Sequence, residues 1–88
     1  MTHVERLGNL IKTAGSIVYF HEMVELAKQR LEEPVDTPDE VSDRIWWVNS
    51  YSRVLRMHRE EYEMLRKAFS PEDKIAKALD NLIKECGA

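Results

Sequence analysis

The sequence has little that punctuates or cross-links a chain. Its single cysteine, Cys86, excludes an internal disulfide. That residue sits on an apolar stripe with no activating base nearby in sequence, so an inert thiol is expected rather than a nucleophile. Three glycines and three prolines among 88 residues leave long stretches uninterrupted. Apolar runs reach four residues, as in Ile17 to Phe20, far short of the roughly 20 that a membrane-spanning helix needs. The first residues, Met1 to Glu5, lack the basic-then-apolar order of a secretory leader, which predicts a cytoplasmic protein with no membrane partner. Neither sign of charge dominates: 13 Lys and Arg against 16 Asp and Glu give a net charge of -3, which argues against coating nucleic acid by bulk charge.

What is present is a globular composition, 43% hydrophobic and 33% charged, in a length that fits one domain over 1–88. A chain this short buries only about 60 to 65% of its unfolded surface, so a deep dry cavity is hard to build in one copy and oligomerisation is favoured. The few breakers define the segments. Pro34 and Pro38 cannot both lie inside one helix, and Thr37-Pro38-Asp39-Glu40 has the grammar of a helix start: a threonine cap, proline at the first position and glutamate three residues after the cap. Ser70-Pro71-Glu72-Asp73 repeats it, and Gly87 suits the far end. Between these starts Val41, Val48, Leu55, Tyr62 and Phe69 recur every seven residues, one stripe along a long helix. Ile75, Leu79, Leu82, Ile83 and Cys86 continue the pattern in the last segment.

The first third is less uniform. At 100° per residue Val4, Leu7, Leu10, Ile11 and Ala14 cluster on one side, and Ile17, Phe20, Val24, Ala27 and Leu31 about 110° away. The change at Gly15-Ser16 predicts a break between two helices, the alternative being one continuous helix with a broad apolar face. The expected fold is therefore an all-α bundle of three to four helices, over about 2–14, 16–32, 38–69 and 71–86, completed by oligomerisation.

Carboxylates three residues apart share a helix face, and two such pairs on packed helices can surround one point. Glu22 and Glu25 form one pair and Glu40 and Asp43 the other, with fourteen residues, the turn included, between Glu25 and Glu40. Such a cluster suits a hard cation, since Mg²⁺ prefers oxygen ligands and is commonly shared with substrate phosphates. The same acids also suit a purely structural role, because Asp39, Glu40 and Asp43 favour the positive end of a helix and Glu40 closes the capping box.

The flanks of these pairs resemble those of the all-α NTP pyrophosphohydrolases of the MazG and dCTPase type. Glu22-Met23-Val24-Glu25-Leu26-Ala27 is similar to that family's Glu-x-x-Glu helix, and Glu40-Val41-Ser42-Asp43 running into Ile45-Trp46-Trp47-Val48 to its Glu-x-x-Asp helix. Lys77-Ala78-Leu79-Asp80-Asn81 loosely matches a Lys-x-x-x-Asn segment. The resemblance implies a Mg²⁺-dependent hydrolase that cleaves a nucleoside triphosphate between its α and β phosphates to give the monophosphate and pyrophosphate. It implies catalytic and metal-binding roles for Glu22, Glu25, Glu40 and Asp43, phosphate contacts for Lys77 and Asn81, and a homo-dimer or tetramer. His21 stands where the family commonly has a further glutamate, and 33 residues separate Asp43 from Lys77, about ten more than is usual in the family.

Other residues support a different class, a non-enzymatic helical module that oligomerises or binds a protein partner. Trp46 and Trp47 point about 100° apart and cannot both enter one stripe. Trp46 shares a face with Met57 and Met64, a combination typical of interaction surfaces and of platforms on which bases stack. His21 and His58 lack the Glu-x-x-His spacing of di-iron bundles, and His58 is expected at the core edge. Arg53, Arg56, Arg59, Arg66 and Lys67 crowd one end of the long helix and acids the other, a polarity that suits antiparallel association. No short glycine-containing link joins two short helices, so sequence-specific DNA binding is not expected.

Overall fold

A computed structural model describes residues 1–87. The chain forms three helices, α1 (His3–Leu31), α2 (Pro38–Arg66) and α3 (Lys74–Glu85), with no strand among the described residues. Helices α1 and α2 make a long antiparallel hairpin. Helix α3 lies against α1 and runs parallel to it as far as His21: Ala76 joins the core cluster that includes Leu10 and Ala14, and a Cβ on Gly87 would meet the His21 ring at 3.5 Å. The molecule is a slab of 52 × 24 × 15 Å.

Helix α1 is continuous through Gly15 and Ser16, so the expected break is absent and the continuous alternative holds. Its buried stripe is Leu10, Ala14, Ile17 and Val24, with half-buried Leu7 and His21 in the same register, a 3-4-3-4-3 spacing that needs no change of face. The suggested rotation came from Val4 and Ile11, which the structure leaves 77% and 47% exposed. Gly15 keeps helical geometry in open space, and the Ser16 hydroxyl donates to the Lys12 carbonyl at 3.1 Å, so neither residue interrupts the ladder. The buried Thr13 hydroxyl is satisfied likewise, donating to the Asn9 carbonyl at 2.8 Å.

Helix α2 starts where its sequence grammar placed it. Thr37 Oγ1 accepts from the Glu40 N–H at 3.4 Å, Pro38 opens the first turn, and the Glu40 carboxylate reaches back to the Asp36 N–H at 3.3 Å. The reciprocal bond thus falls one residue earlier than in a standard capping box. The helix ends at Arg66, three residues before the expected Phe69. From there Phe69 turns inward and is buried against the core and the His3 ring, 5.6 Å away. The last helix also starts three residues late. Its cap is Asp73, which accepts from the Ala76 N–H at 2.9 Å, while Ser70 Oγ accepts from the Glu72 N–H at 3.1 Å and closes a local turn. Gly87 ends α3 with φ of 88°, the left-handed conformation that glycine adopts without strain.

The seven-residue stripe of α2 faces α1 over most of its length: Leu55 and Tyr62 are buried and Val48 is half-buried, whereas Val41, beside the turn, is exposed. The core closes best where three helices meet, around Leu10, Ala14, Ile17, Leu55, Tyr62, Phe69 and Ala76. Beyond the reach of α3 only the hairpin remains. No helix of the described residues is long and apolar enough to cross a membrane.

Candidate functional site

The hairpin register decides which acids can meet. Arg44 sits level with the end of α1, its guanidinium donating to the carbonyls of Arg30 at 2.6 Å, Glu33 at 2.7 Å and Pro34 at 3.3 Å. These bonds satisfy carbonyls left free at the negative end of α1, so a cation there is favoured twice, by geometry and by charge. With Arg30 opposite Arg44, Asp43 and Glu40 fall level with Leu31 and Pro34. Glu25 and Glu22 then lie about 9 and 13 Å farther back along the α1 axis, at 1.5 Å per residue.

The four carboxylates therefore do not gather within one chain. Glu22, Glu25 and Asp43 are exposed, Glu25 pairs with Lys28 at 3.7 Å, and Glu40 is engaged in the α2 cap. Among the described residues no three His, Cys, Asp or Glu side chains form a group able to hold a metal ion. A Mg²⁺ site needs several oxygens at about 2.1 Å from one point, and this arrangement does not fit that ion. Lys77 and Asn81 are exposed on α3 at the opposite end of the slab from the Glu40 turn, and Lys77 is paired with Glu72 at 2.8 Å. The residues expected to hold metal and phosphate are thus spread along the molecule.

The aromatic and methionine residues are brought together differently. Trp46, Met57 and Met64 stand on the side of α2 directed away from α1 and are 59%, 59% and 72% exposed. Trp46 meets Trp47 edge-on at 4.8 Å, and Trp47 stacks on Tyr51 at 5.4 Å. Trp47 then turns to the hairpin seam, where Met23, Leu26, Ala27, Arg30, Arg44 and Tyr51 complete the lining of an open groove of about 240 Å³. Phe20 carries the aromatic row onward by stacking on His58 at 5.3 Å, which places His58 at the core edge as its stripe position implied.

One polar cluster had no signal in the sequence beyond ordinary charges. Tyr62 donates its hydroxyl to Asp80 Oδ1 at 2.6 Å, and Arg66 Nε donates to Asp80 Oδ2 at 3.0 Å. The same guanidinium donates to the Ser70 carbonyl at 3.0 Å, so α2, the turn and α3 are fastened at one point. Burial pushes the Tyr62 hydroxyl well above its usual pKa, and the Asp80 carboxylate adds to the rise. This cluster is a structural clasp: every group in it is occupied by a partner from the same chain. Compared with known protein families, with characterised proteins and with solved structures, the chain matches none.

Proposed function

We propose that this chain is a helical interaction module, acting by association with a protein partner through the outer face of α2 rather than by catalysis. The observation that carries the reading is the exposure of Trp46, Met57 and Met64 together on a face that the fold leaves uncovered. Large apolar side chains left exposed along one helix face offer anchors for a partner, and tryptophan and methionine supply much contact area with adaptable shape. The adjacent groove beside Trp47 extends the same surface around the hairpin.

Nucleotide pyrophosphohydrolysis is the competing class, carried by the acidic motifs and their flanks. A direct assay separates the two. The chain is incubated with Mg²⁺ and each common ribo- and deoxyribonucleoside triphosphate, and pyrophosphate release is followed. The module reading expects none above the buffer rate. Release that disappears in Glu25→Gln and in Asp43→Asn, with helical circular dichroism unchanged, overturns it.

A further inference from the structure

We infer that the partner of the α2 face is a second copy of this chain, bound antiparallel about a two-fold axis that crosses the outer side of α2 at the level of residue 55. The inference rests on the module reading above and adds the partner's identity and the register. The outer side of α2 is lined by Asp39, Asp43, Trp46, Ser50, Arg53, Met57, Glu60, Met64 and Lys67, positions at alternating spacings of four and three of which Trp46, Met57 and Met64 are apolar. That spacing makes a continuous seam along a helix. Lys67 still has helical dihedrals, so the seam runs unbroken from Asp43 to Lys67, about 36 Å.

The order of charges along the seam selects one orientation. In a parallel pair Asp43 would oppose Asp43, Arg53 would oppose Arg53 and Glu60 would oppose Glu60, all like charges. In the antiparallel pair Asp43 meets the second copy's Lys67, Trp46 its Met64, Ser50 its Glu60 and Arg53 its Met57, with Glu60 one turn away. Each charged position thereby faces an opposite or neutral residue, the one like-charge approach being Arg53 to the second copy's Arg53 about one turn away, offset by Glu60 at a similar distance, and Trp46 packs on the Met64 sulfur. Among the described residues Asp43, Arg53, Glu60 and Lys67 have no ion-pair partner in the chain, so nothing must be broken to form these contacts. A two-helix seam of this length lies at the low end of specific interfaces, below about 1,200 Å² in total, which makes the dimer weak and reversible.

The test combines charge reversal with cross-linking. By sedimentation equilibrium, Asp43→Lys and Lys67→Asp each weaken dimerisation about tenfold, because two contacts related by symmetry turn repulsive, and the double variant restores it. In a Cys86→Ser background, Ser50→Cys mixed with Glu60→Cys gives a disulfide-linked pair on mild oxidation, whereas Ser50→Cys alone does not. A chain that stays monomeric at every concentration, a double variant that fails to recover, or a Ser50→Cys cross-link formed alone overturns the inference. Each of these outcomes leaves docking on a different protein standing, whereas pyrophosphate release removes the module reading itself. Circular dichroism of each variant confirms that the substitutions, at exposed Asp43, Glu60 and Lys67 and at half-buried Ser50 and Cys86, leave the helices intact.

Discussion

The two ends of the slab are built to different degrees of closure. At one end three helices enclose Leu10 and Ile17, the largest side chains to vanish from solvent, and the Tyr62-Asp80-Arg66 clasp fixes α3 in place. At the other end two helices share a single seam in which Val24 and Ala27 are buried, while Leu26, Val41, Ile45, Trp46 and Trp47 stay exposed. Arg44 holds that end by its grip on the last carbonyls of α1. The difference shows how one hairpin serves two purposes: α3 completes a core over half its length and leaves the other half with apolar surface that water does not favour.

The contrast can be broken most sharply in the core. Leu10→Ala should cost about 2 to 5 kcal/mol, because the cavity it leaves is walled by three helices and cannot collapse. Val24→Ala, at the two-helix end, should cost only about 1 to 2 kcal/mol, two methyl groups at about 0.8 each. Urea unfolding of the two variants measures the gap, and equal losses per carbon removed, three at Leu10 and two at Val24, would mean that the ends are equally closed.

The clasp provides the next largest effect and a pH dependence. Tyr62→Phe removes a hydrogen bond to a carboxylate and should cost about 1.5 to 3 kcal/mol at neutral pH. The folded state holds the Tyr62 proton more tightly than the unfolded state, whose tyrosine titrates near 10. The contribution is complete below about pH 10 and falls above it, because the unfolded chain then releases a proton that the native chain retains. Denaturation at successive alkaline pH values should show a steeper loss for the parent chain than for Tyr62→Phe. Parallel curves would show that the hydroxyl is not held as the geometry implies.

Gly15 sharpens the comparison with the smallest change. A Cβ there would meet nothing within 4 Å, and the position is exposed in the interior of α1. Gly15→Ala should therefore stabilise by about 0.5 to 1 kcal/mol, read as a higher thermal midpoint. A loss of stability would reveal a bend at Gly15 of the kind that the shift in apolar phase suggested.

The elements that were legible in the sequence are those set by local rules. Thr37-Pro38-Glu40 places the α2 cap, Leu55 and Tyr62 face inward on their seven-residue series, and Gly87 closes α3. The Ser70 start misled because Arg66 binds the carbonyl of Ser70 and draws the following residues into a turn, leaving Asp73 as the better-placed cap. Long side chains that reach across a turn, such as Arg44 and Arg66, leave no periodic trace. The acidic pairs show the same limit. Spacing fixes the angle at which Glu22, Glu25, Glu40 and Asp43 leave their helices, but their level along the hairpin depends on how far the turn carries α2 past the end of α1. By contrast the outward direction of Trp46, Met57 and Met64 follows from angle alone, so that surface was visible in advance.

The shortest extent of the molecule, 15 Å, is under a third of the longest, 52 Å, a shape with much surface for its volume. Away from α3 the hairpin has no further layer over it and leaves Leu26, Ile45, Trp46 and Trp47 in water, so the chain removes less apolar surface from solvent than a rounder body of the same length would. The heat capacity of unfolding tracks that surface. The free energy of this fold consequently has a shallow curve against temperature, so cooling strengthens it little and warming erodes it gently, and a covering partner would steepen both limbs.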